Sequence, residues 1–239
     1  MFAVGKRLVT KIYNAAIYVL QQTADVHPIT HELDSAFVRQ LGELVAAATA
    51  ELDEFDYAGA LARTEKFFWS QFTDSYIELV KGRARGDGNA TPEERGSAVA
   101  AARLALSTLL RLFAPTLPYV TEEVWSWALA EDTGHASIHR APWPAAEEFS
   151  AGAEGGFATA AAAFTAVNKA KTQQGASGGR SVTALSLAAN AATHAALARV
   201  CGDVLLAVRA TGMTAVERAD LADGAFEVTE LVLAPKPAE

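Results

Sequence analysis

A row of polar side chains near the amino terminus combines the residue types that recognise single-stranded nucleic acid. Arg7, Lys11, Asn14 and Tyr18 are spaced four, three and four residues apart, so a helix would place them on one face. Cations contact phosphates, an amide hydrogen-bonds to a base edge, and an aromatic ring stacks on a base. The row therefore indicates RNA binding, although the same residues also suit an ordinary solvated helix face.

A second basic set lies at the end of the third predicted helix. It comprises Lys81, Arg83 and Arg85. Helix C-termini favour cations in proteins of any function, because the helix dipole places partial negative charge there. This set is therefore compatible with RNA binding and equally with an ordinary helix end.

The other polar residues match no catalytic or metal-binding motif. The chain lacks the P-loop, the dinucleotide-binding fingerprint and the H-E-x-x-H zinc motif. Its Gly-rich stretch 175–179 leads into a predicted strand, whereas a phosphate-binding loop leads into a helix. A single cysteine, Cys201, excludes a disulfide framework and a cysteine-based zinc site. We predict no catalytic residues and no bound metal.

The composition is that of a globular chain. The 239 residues are 51% hydrophobic and carry a net charge of −8. An acidic total disfavours a nucleic-acid partner, but a phosphate backbone responds to the local field of a basic stripe.

A transmembrane helix needs about 20 consecutive apolar residues, and no uncharged window here reaches that length. The amino-terminal stretch also lacks a cleavage-site pattern. We therefore expect no membrane partner and a cytoplasmic location.

Helical spacing of apolar residues recurs through the first part of the chain. Thr91, Pro92 and Glu94 combine an N-cap, a proline at the first helical position and a capping glutamate, so a helix should begin there. It should end at Ala114, because Pro115 follows. Long helices with short connections are typical of an antiparallel bundle. The predicted helices cover residues 4–20, 34–52, 57–81, 92–114 and 121–129.

The pattern changes after residue 154. A helix, a Gly-rich turn and segments with strand-like alternation indicate a small α+β unit. The fold is therefore predicted to be mainly α, with an antiparallel helical-bundle domain over residues 1–145 and a small α+β domain over residues 155–234, separable at an exposed junction. In the second domain, helices are predicted over 157–171 and 191–208, and strands over 182–187, 213–218 and 226–233.

Four motifs follow one another between residues 5 and 144. They are Gly5-Lys6-Arg7-Leu8 with Ile12-Tyr13-Asn14-Ala15, Phe67-Phe68-Trp69 with residues 72–79, the proline-containing stretch 110–125, and residues 137–144. Together they resemble the C-terminal anticodon-binding region of valyl-tRNA synthetases, in the class I aminoacyl-tRNA synthetase family. Residues 166–171 are similar to the helix that begins the small junction domain of that family, with Asn168 where the family usually has arginine.

The resemblance implies a bundle of the class I anticodon-binding type that binds the anticodon stem-loop of tRNA(Val), as the C-terminal part of a valine–tRNA ligase. We expect a monomer. The two nucleotide-binding signatures of class I enzymes are not found here. ATP and Mg would therefore belong to a catalytic domain outside this chain, and no cofactor is expected within it. The residues assigned to RNA binding, by the row on the first helix and by the resemblance, are Lys6, Arg7, Lys11, Asn14, Tyr18, Phe37 and Arg39.

The aromatic residues of the second motif match family positions. Because Phe67, Phe68, Trp69 and Tyr76 have helical spacing, we expect them in the core rather than as a surface for stacking bases.

A second hypothesis stays open, in which the chain is a stand-alone protein-interaction or regulatory paralogue that has lost RNA binding. The acidic net charge favours it, and so does Ile17, which replaces an arginine that is common in the family motif. The intact row of Arg7, Lys11 and Asn14 favours RNA binding.

Overall fold

The computed structural model describes residues 2–149 and 155–235, and it confirms the mainly α fold. A helical bundle is followed by a small unit that contains a three-stranded sheet. The helices of the bundle are α1 (Phe2–Leu20), α2 (Glu32–Asp53), α3 (Tyr57–Phe67), α4 (Ile77–Arg85), α5 (Pro92–Phe113), α6 (Pro118–Trp127) and α7 (Leu129–Thr133).

Helix α5 lies at the centre of the bundle and packs against α1, α2, α3, α4 and α6. Its beginning confirms the predicted cap. The Thr91 hydroxyl accepts a hydrogen bond from the Glu94 amide at 3.2 Å, and the Glu94 carboxylate accepts one from the Thr91 amide at 2.9 Å. Both donors would otherwise be unpaired at a helix start. By length and apolar composition α5 could cross a membrane, but most of the helix is buried inside the fold.

The predicted single helix over residues 57–81 is wrong in two respects. First, a π-helical segment, Phe68–Tyr76, separates α3 from α4. In it the Ser75 hydroxyl donates to the carbonyl of Ser70, five residues back, at 2.7 Å. Apolar periodicity does not distinguish a π turn from an α turn, and π turns are frequent at functional sites. Second, the helix continues to Arg85 and ends where Gly86 adopts a φ of 91°, a conformation that glycine reaches at low cost.

The second unit contains a mixed sheet with strand order β2-β1-β3. β1 pairs with β2 in parallel and with β3 in antiparallel orientation. The predicted helix over 191–208 is wrong, because two helices meet there at 81°. Val200 lies between them with a φ of −123°, and the bend lets the second helix pack on α4. The elements are α8 (Gly156–Gln173), β1 (Val182–Ala189), α9 (Ala191–Ala198), α10 (Cys201–Val208), β2 (Thr214–Glu217) and β3 (Glu227–Leu233).

An aromatic cluster joins this unit to the bundle. The ring of Phe37 on α2 stacks on Tyr76, with ring centroids 3.8 Å apart. Phe157, at the start of α8, meets Phe37 and Tyr76 edge-on at 5.2 and 6.1 Å. All three side chains are buried, and large aromatic rings contribute much of the apolar area that a core removes from water. The two predicted domains therefore share a core.

A buried polar cluster crosses the same boundary. Arg83 on α4 donates to the two carboxylate oxygens of Asp34 on α2 at 2.8 and 2.9 Å, and to Asp203 on α10 at 2.9 Å. The hydroxyls of Tyr76 and Ser97 donate to Asp34 at 2.8 and 2.7 Å. Burial raises the pKa of Asp203, and the charge of Arg83 opposes that shift. We call these five residues the Arg83 cluster.

The division into domains 1–145 and 155–234 stays a prediction, because residues 150–154 of the junction lie outside the described residues. An acidic, Gly-rich connection is a preferred site of proteolysis. We expect limited proteolysis to cut first within residues 147–156. The two fragments should elute together on size exclusion, because the aromatic cluster and the Arg83 cluster hold them. A first cut elsewhere, or fragments that separate without denaturant, would contradict this expectation.

Candidate nucleic-acid interface

An open groove of about 420 Å³ separates α1 from the π-helical segment. The opposite face of α1 is buried, with Leu8, Ile12 and Val19 exposed by only 5%, 1% and 0%. This apolar stripe fixes the rotation of α1 about its axis and turns the polar row outward. The groove therefore brings together four of the predicted RNA-binding residues. We call it the α1 groove, and it is lined by Lys6, Arg7, Thr10, Lys11, Asn14 and Trp69.

Lys11 occupies the middle of the α1 groove. Its ammonium lies 5.2 Å from the centroid of the Trp69 ring and 3.2 Å from the Asp74 carboxylate. The face of an indole ring attracts a cation electrostatically. The ion pair with Asp74 is solvent-exposed and contributes about 0–1 kcal/mol. A phosphate could therefore replace Asp74 as the partner of Lys11 at little cost.

Trp69 is the functional candidate that sequence reasoning missed. The expectation of a core position holds for Phe68 and Tyr76, but the ring of Trp69 is only partly buried and borders the α1 groove. Its Nε1 donates to Glu65 at 3.3 Å, which restricts the plane of the ring. Helical periodicity gave no signal for this placement, because the π turn changes which residues share a face.

Tyr18 lies beyond the α1 groove, at the end of α1 that faces α4. Its hydroxyl is buried and has no hydrogen-bond partner among the described residues. Burial raises its pKa to about 12, while nearby Arg85 lowers the pKa and Glu78 raises it. Leaving a buried hydroxyl unpaired costs free energy. Its contact with RNA stays a prediction, at the edge where α1 meets α4.

The prediction that Phe37 contacts RNA is wrong for the folded chain. Its side chain is 0% exposed and lies inside the aromatic cluster, because it belongs to the apolar stripe of α2. Arg39 lies on the same helix and is half-buried, 3.3 Å from the Glu43 carboxylate. It does not line the α1 groove, and its contact with RNA stays a prediction.

The second basic set is divided by the fold. Arg83 points into the core, where it forms the centre of the Arg83 cluster. Lys81 and Arg85 stay at the surface and pair with Glu78 and with Asp87. Charge alone could not predict this division, because burial of Arg83 depends on two aspartates that are distant in sequence.

The α1 groove offers groups for binding rather than for chemical reaction. Lys6 and Arg7 are exposed cations, and the side chain of Asn14 offers both a donor and an acceptor. Across residues 2–149 and 155–235, no three His, Cys, Asp or Glu side chains come close enough to hold a metal ion. Cations and an amide together can contact phosphates and read a base edge, and the partly buried indole of Trp69 borders the same groove.

Residues 34–185 match the family model of the anticodon-binding domain of tRNA ligases, and the chain belongs to this family. Its similar curated relatives are valine–tRNA ligases. The chain is 38% identical to that of Leifsonia xyli subsp. xyli over 243 residues, which cover 99% of the chain and 27% of the relative. It is 45% identical to that of Thermobifida fusca over 181 residues, which cover 71% of the chain and 19% of the relative. It therefore spans about a quarter or less of the length of these relatives.

Proposed function

We propose that this chain binds the anticodon stem-loop of tRNA, with tRNA(Val) as the specific partner, as the anticodon-binding region of a valine–tRNA ligase. Membership of the anticodon-binding family and similarity to valine–tRNA ligases support this role. The observation that carries it is the convergence of Arg7, Lys11, Asn14 and Trp69 on one groove. Amino-acid activation with ATP and Mg would take place in a catalytic part outside this chain.

Each group in the α1 groove has a distinct task in this proposal. Arg7 and Lys11 neutralise phosphates of the loop, and that contribution is independent of sequence. A base that leaves the loop stack lies against the ring of Trp69. Asn14 hydrogen-bonds to a base edge and so discriminates between anticodons.

The acidic total charge does not oppose this binding. Lys6, Arg7 and Lys11 line the α1 groove, and none of its lining residues is acidic. Two carboxylates lie beside them, Asp74 at 3.2 Å from Lys11 and Glu65 at 3.3 Å from Nε1 of Trp69. Three cations against two carboxylates leave this groove with a small positive excess, whereas the net charge of −8 belongs to the whole chain.

Replacing Arg7 and Lys11 together with glutamine should weaken binding of every tRNA alike. Each lost phosphate contact removes about 0.7–0.9 units from the slope of log affinity against log salt, so the double variant should lose about 1.4–1.8 units.

Asn14→Ala should leave that slope unchanged and lower discrimination between tRNA(Val) and a non-cognate tRNA by about 1–3 kcal/mol, the size of a bidentate base contact. Fluorescence anisotropy at several salt concentrations measures both quantities.

The matched control is the double variant Arg63→Gln with Arg218→Gln. It makes the same change in net charge, from −8 to −10, at two exposed arginines outside the α1 groove. We expect it to bind tRNA with an almost unchanged salt slope. If the double variant of Arg7 and Lys11 binds tRNA with the same affinity and salt slope as this control, the polar row on α1 is an ordinary solvated helix face. The hypothesis of a protein-interaction paralogue without RNA binding would then be preferred.

A further inference from the structure

A second cleft lies where α4 faces the loop after α8 and the end of α10. Its volume is about 180 Å³. A Cβ at Gly82 would lie 3.1 Å from the Cβ of Leu206, so α4 and α10 approach closely at its base. We call it the α4–α10 cleft. Its polar lining comes from Lys81, Arg85, Asn168, Gly178, Gly179 and Arg209, with Glu78 beside Lys81.

An exposed loop with two glycines, Gly178 and Gly179, borders the α4–α10 cleft. The ammonium of Lys171 donates to the carbonyls of Gly178, Arg180 and Val208 at 2.9, 2.8 and 2.7 Å, and so anchors this loop. The amides of Gly178 and Gly179 donate to no acceptor in the part of the chain that the structure describes. Both glycines are exposed, so these amides remain free to donate to water or to an anionic ligand.

Asn168 adds an unpaired polar atom at the same place. Its Oδ1 is buried, has no partner among the described residues, and lies 3.4 Å from where a Cβ at Gly178 would be. Buried polar atoms are almost always paired with protein, water or a ligand. Because an amide oxygen accepts hydrogen bonds, its partner must be a donor, such as a water or the 2′-hydroxyl of a ribose, and not a phosphate oxygen.

Arg209 supplies a charge that no neighbouring carboxylate compensates. Lys81 and Arg85 are paired with Glu78 and Asp87, whereas Arg209 forms no ion pair with any described residue. Its guanidinium lies within 4.0 Å of where a Cβ at Gly179 would be. The cation of Arg209 therefore lies beside Gly179, and both residues line the cleft.

The backbone of Arg209 is in an unfavourable conformation for arginine. Its φ of 56° and ψ of 46° place it in the left-handed region at the end of α10, a position that glycine usually occupies. In this conformation the Cβ of an L-residue lies too close to the following carbonyl oxygen, which raises the free energy of the folded chain; glycine has no Cβ and avoids this strain. Such outliers cluster at functional sites, so the side chain of Arg209 is a candidate for a binding role.

Tyr18 lies on the same helix as the α1 groove and is electrostatically influenced by two residues of the α4–α10 cleft. The ring of Tyr18, at the end of α1, is close enough to Arg85 and Glu78 for both to shift its pKa, and both of these residues line the cleft.

We propose that the α4–α10 cleft binds one phosphate group of the tRNA backbone, held by the guanidinium of Arg209 and the amides of Gly178 and Gly179. This site rests on the proposed function, since tRNA supplies the phosphate. It would extend the RNA contact from the bundle to the α+β unit.

Arg209→Gly tests this site without a loss of folding, because glycine suits the left-handed backbone at residue 209. We expect thermal unfolding close to that of the wild type. Affinity for tRNA should fall about five- to eightfold at 0.1 M salt, and the salt slope should fall by about 0.7–0.9 units. Arg209→Lys should retain most of the slope, and Arg218→Gln, which removes an ion-paired arginine elsewhere in the same unit, should bind like the wild type.

Titration of the ¹⁵N-labelled chain with inorganic pyrophosphate gives an independent readout. It should shift the amide signals of Gly178 and Gly179 in the wild type but not in Arg209→Gly. If the Arg7 and Lys11 variant loses tRNA affinity while Arg209→Gly keeps the wild-type affinity and slope, this site is refuted and the proposed function stands. If the wild type binds no tRNA, the proposed function fails, and the tRNA-phosphate site fails with it even where pyrophosphate binds.

Discussion

Replacing Arg83 with methionine should lower the free energy of unfolding by about 3–5 kcal/mol, which is the usual cost of removing one partner from a buried ion pair. Arg83 is 4% exposed and bridges Asp34 and Asp203, which lie on α2 and α10. Methionine would leave both carboxylates buried without their cation. The loss should appear as a lower midpoint in urea-induced unfolding.

Arg85→Met is the matched control for this change. Arg85 lies two residues further along α4 and forms one exposed ion pair, with Asp87. Its replacement should change the free energy of unfolding by about 0.5 kcal/mol or less. A loss below about 1 kcal/mol in Arg83→Met would show that the cluster does not hold the α+β unit against the bundle.

Lys171→Met should have the second-largest effect on stability. The ammonium of Lys171 is 0% exposed and donates to three backbone carbonyls. The carbonyl of Val208 is the buried acceptor among the three, and leaving it unpaired should lower the free energy of unfolding by about 1–3 kcal/mol. Lys169→Met, on the exposed face of the same helix, should be nearly neutral. Equal stability of the two variants in thermal unfolding would contradict the role of Lys171 as an anchor.

The stability that Lys171 contributes should depend on pH. Burial and the charge of Arg209 lower the pKa of Lys171 from 10.5 to about 8. Between these values the unfolded chain binds a proton that the folded chain has released, so the free energy of unfolding rises with pH. The difference in stability between the wild type and Lys171→Met should therefore grow from about pH 8 to about pH 10.5. A difference that shrinks over this range would contradict the shift.

The features with local signals were predictable from the sequence. The cap formed by Thr91 and Glu94 is confirmed at the start of α5, because capping depends on residues within one turn. The π-helical segment and the bend between α9 and α10 were not predictable. Both arise where a helix packs against partners that are distant in sequence. The helical spacing of apolar residues is uninterrupted across both features, so the sequence pattern does not indicate them.

The candidate site was predictable in composition but not in every member. Spacing alone placed Arg7, Lys11 and Asn14 on one face, and the structure brings them to one groove. Sequence spacing does not indicate, however, how deeply a side chain is buried. Phe37 is enclosed by aromatic rings from three other elements, namely α3, the π-helical segment and α8. Trp69, in the π-helical segment, is only partly buried and borders the α1 groove. Which residues a fold exposes is decided by tertiary packing.

Selective recognition of tRNA(Val) is measured most directly by titrating the wild-type chain with tRNA(Val) and with a non-cognate tRNA at two salt concentrations. We expect both affinities to fall with salt, because phosphate contacts supply the shared part of the binding. The preference for tRNA(Val) should persist at the higher salt concentration, because contacts to base edges do not release counterions. Equal affinity for the two tRNAs at both salt concentrations, or no binding of either, would contradict the proposed function.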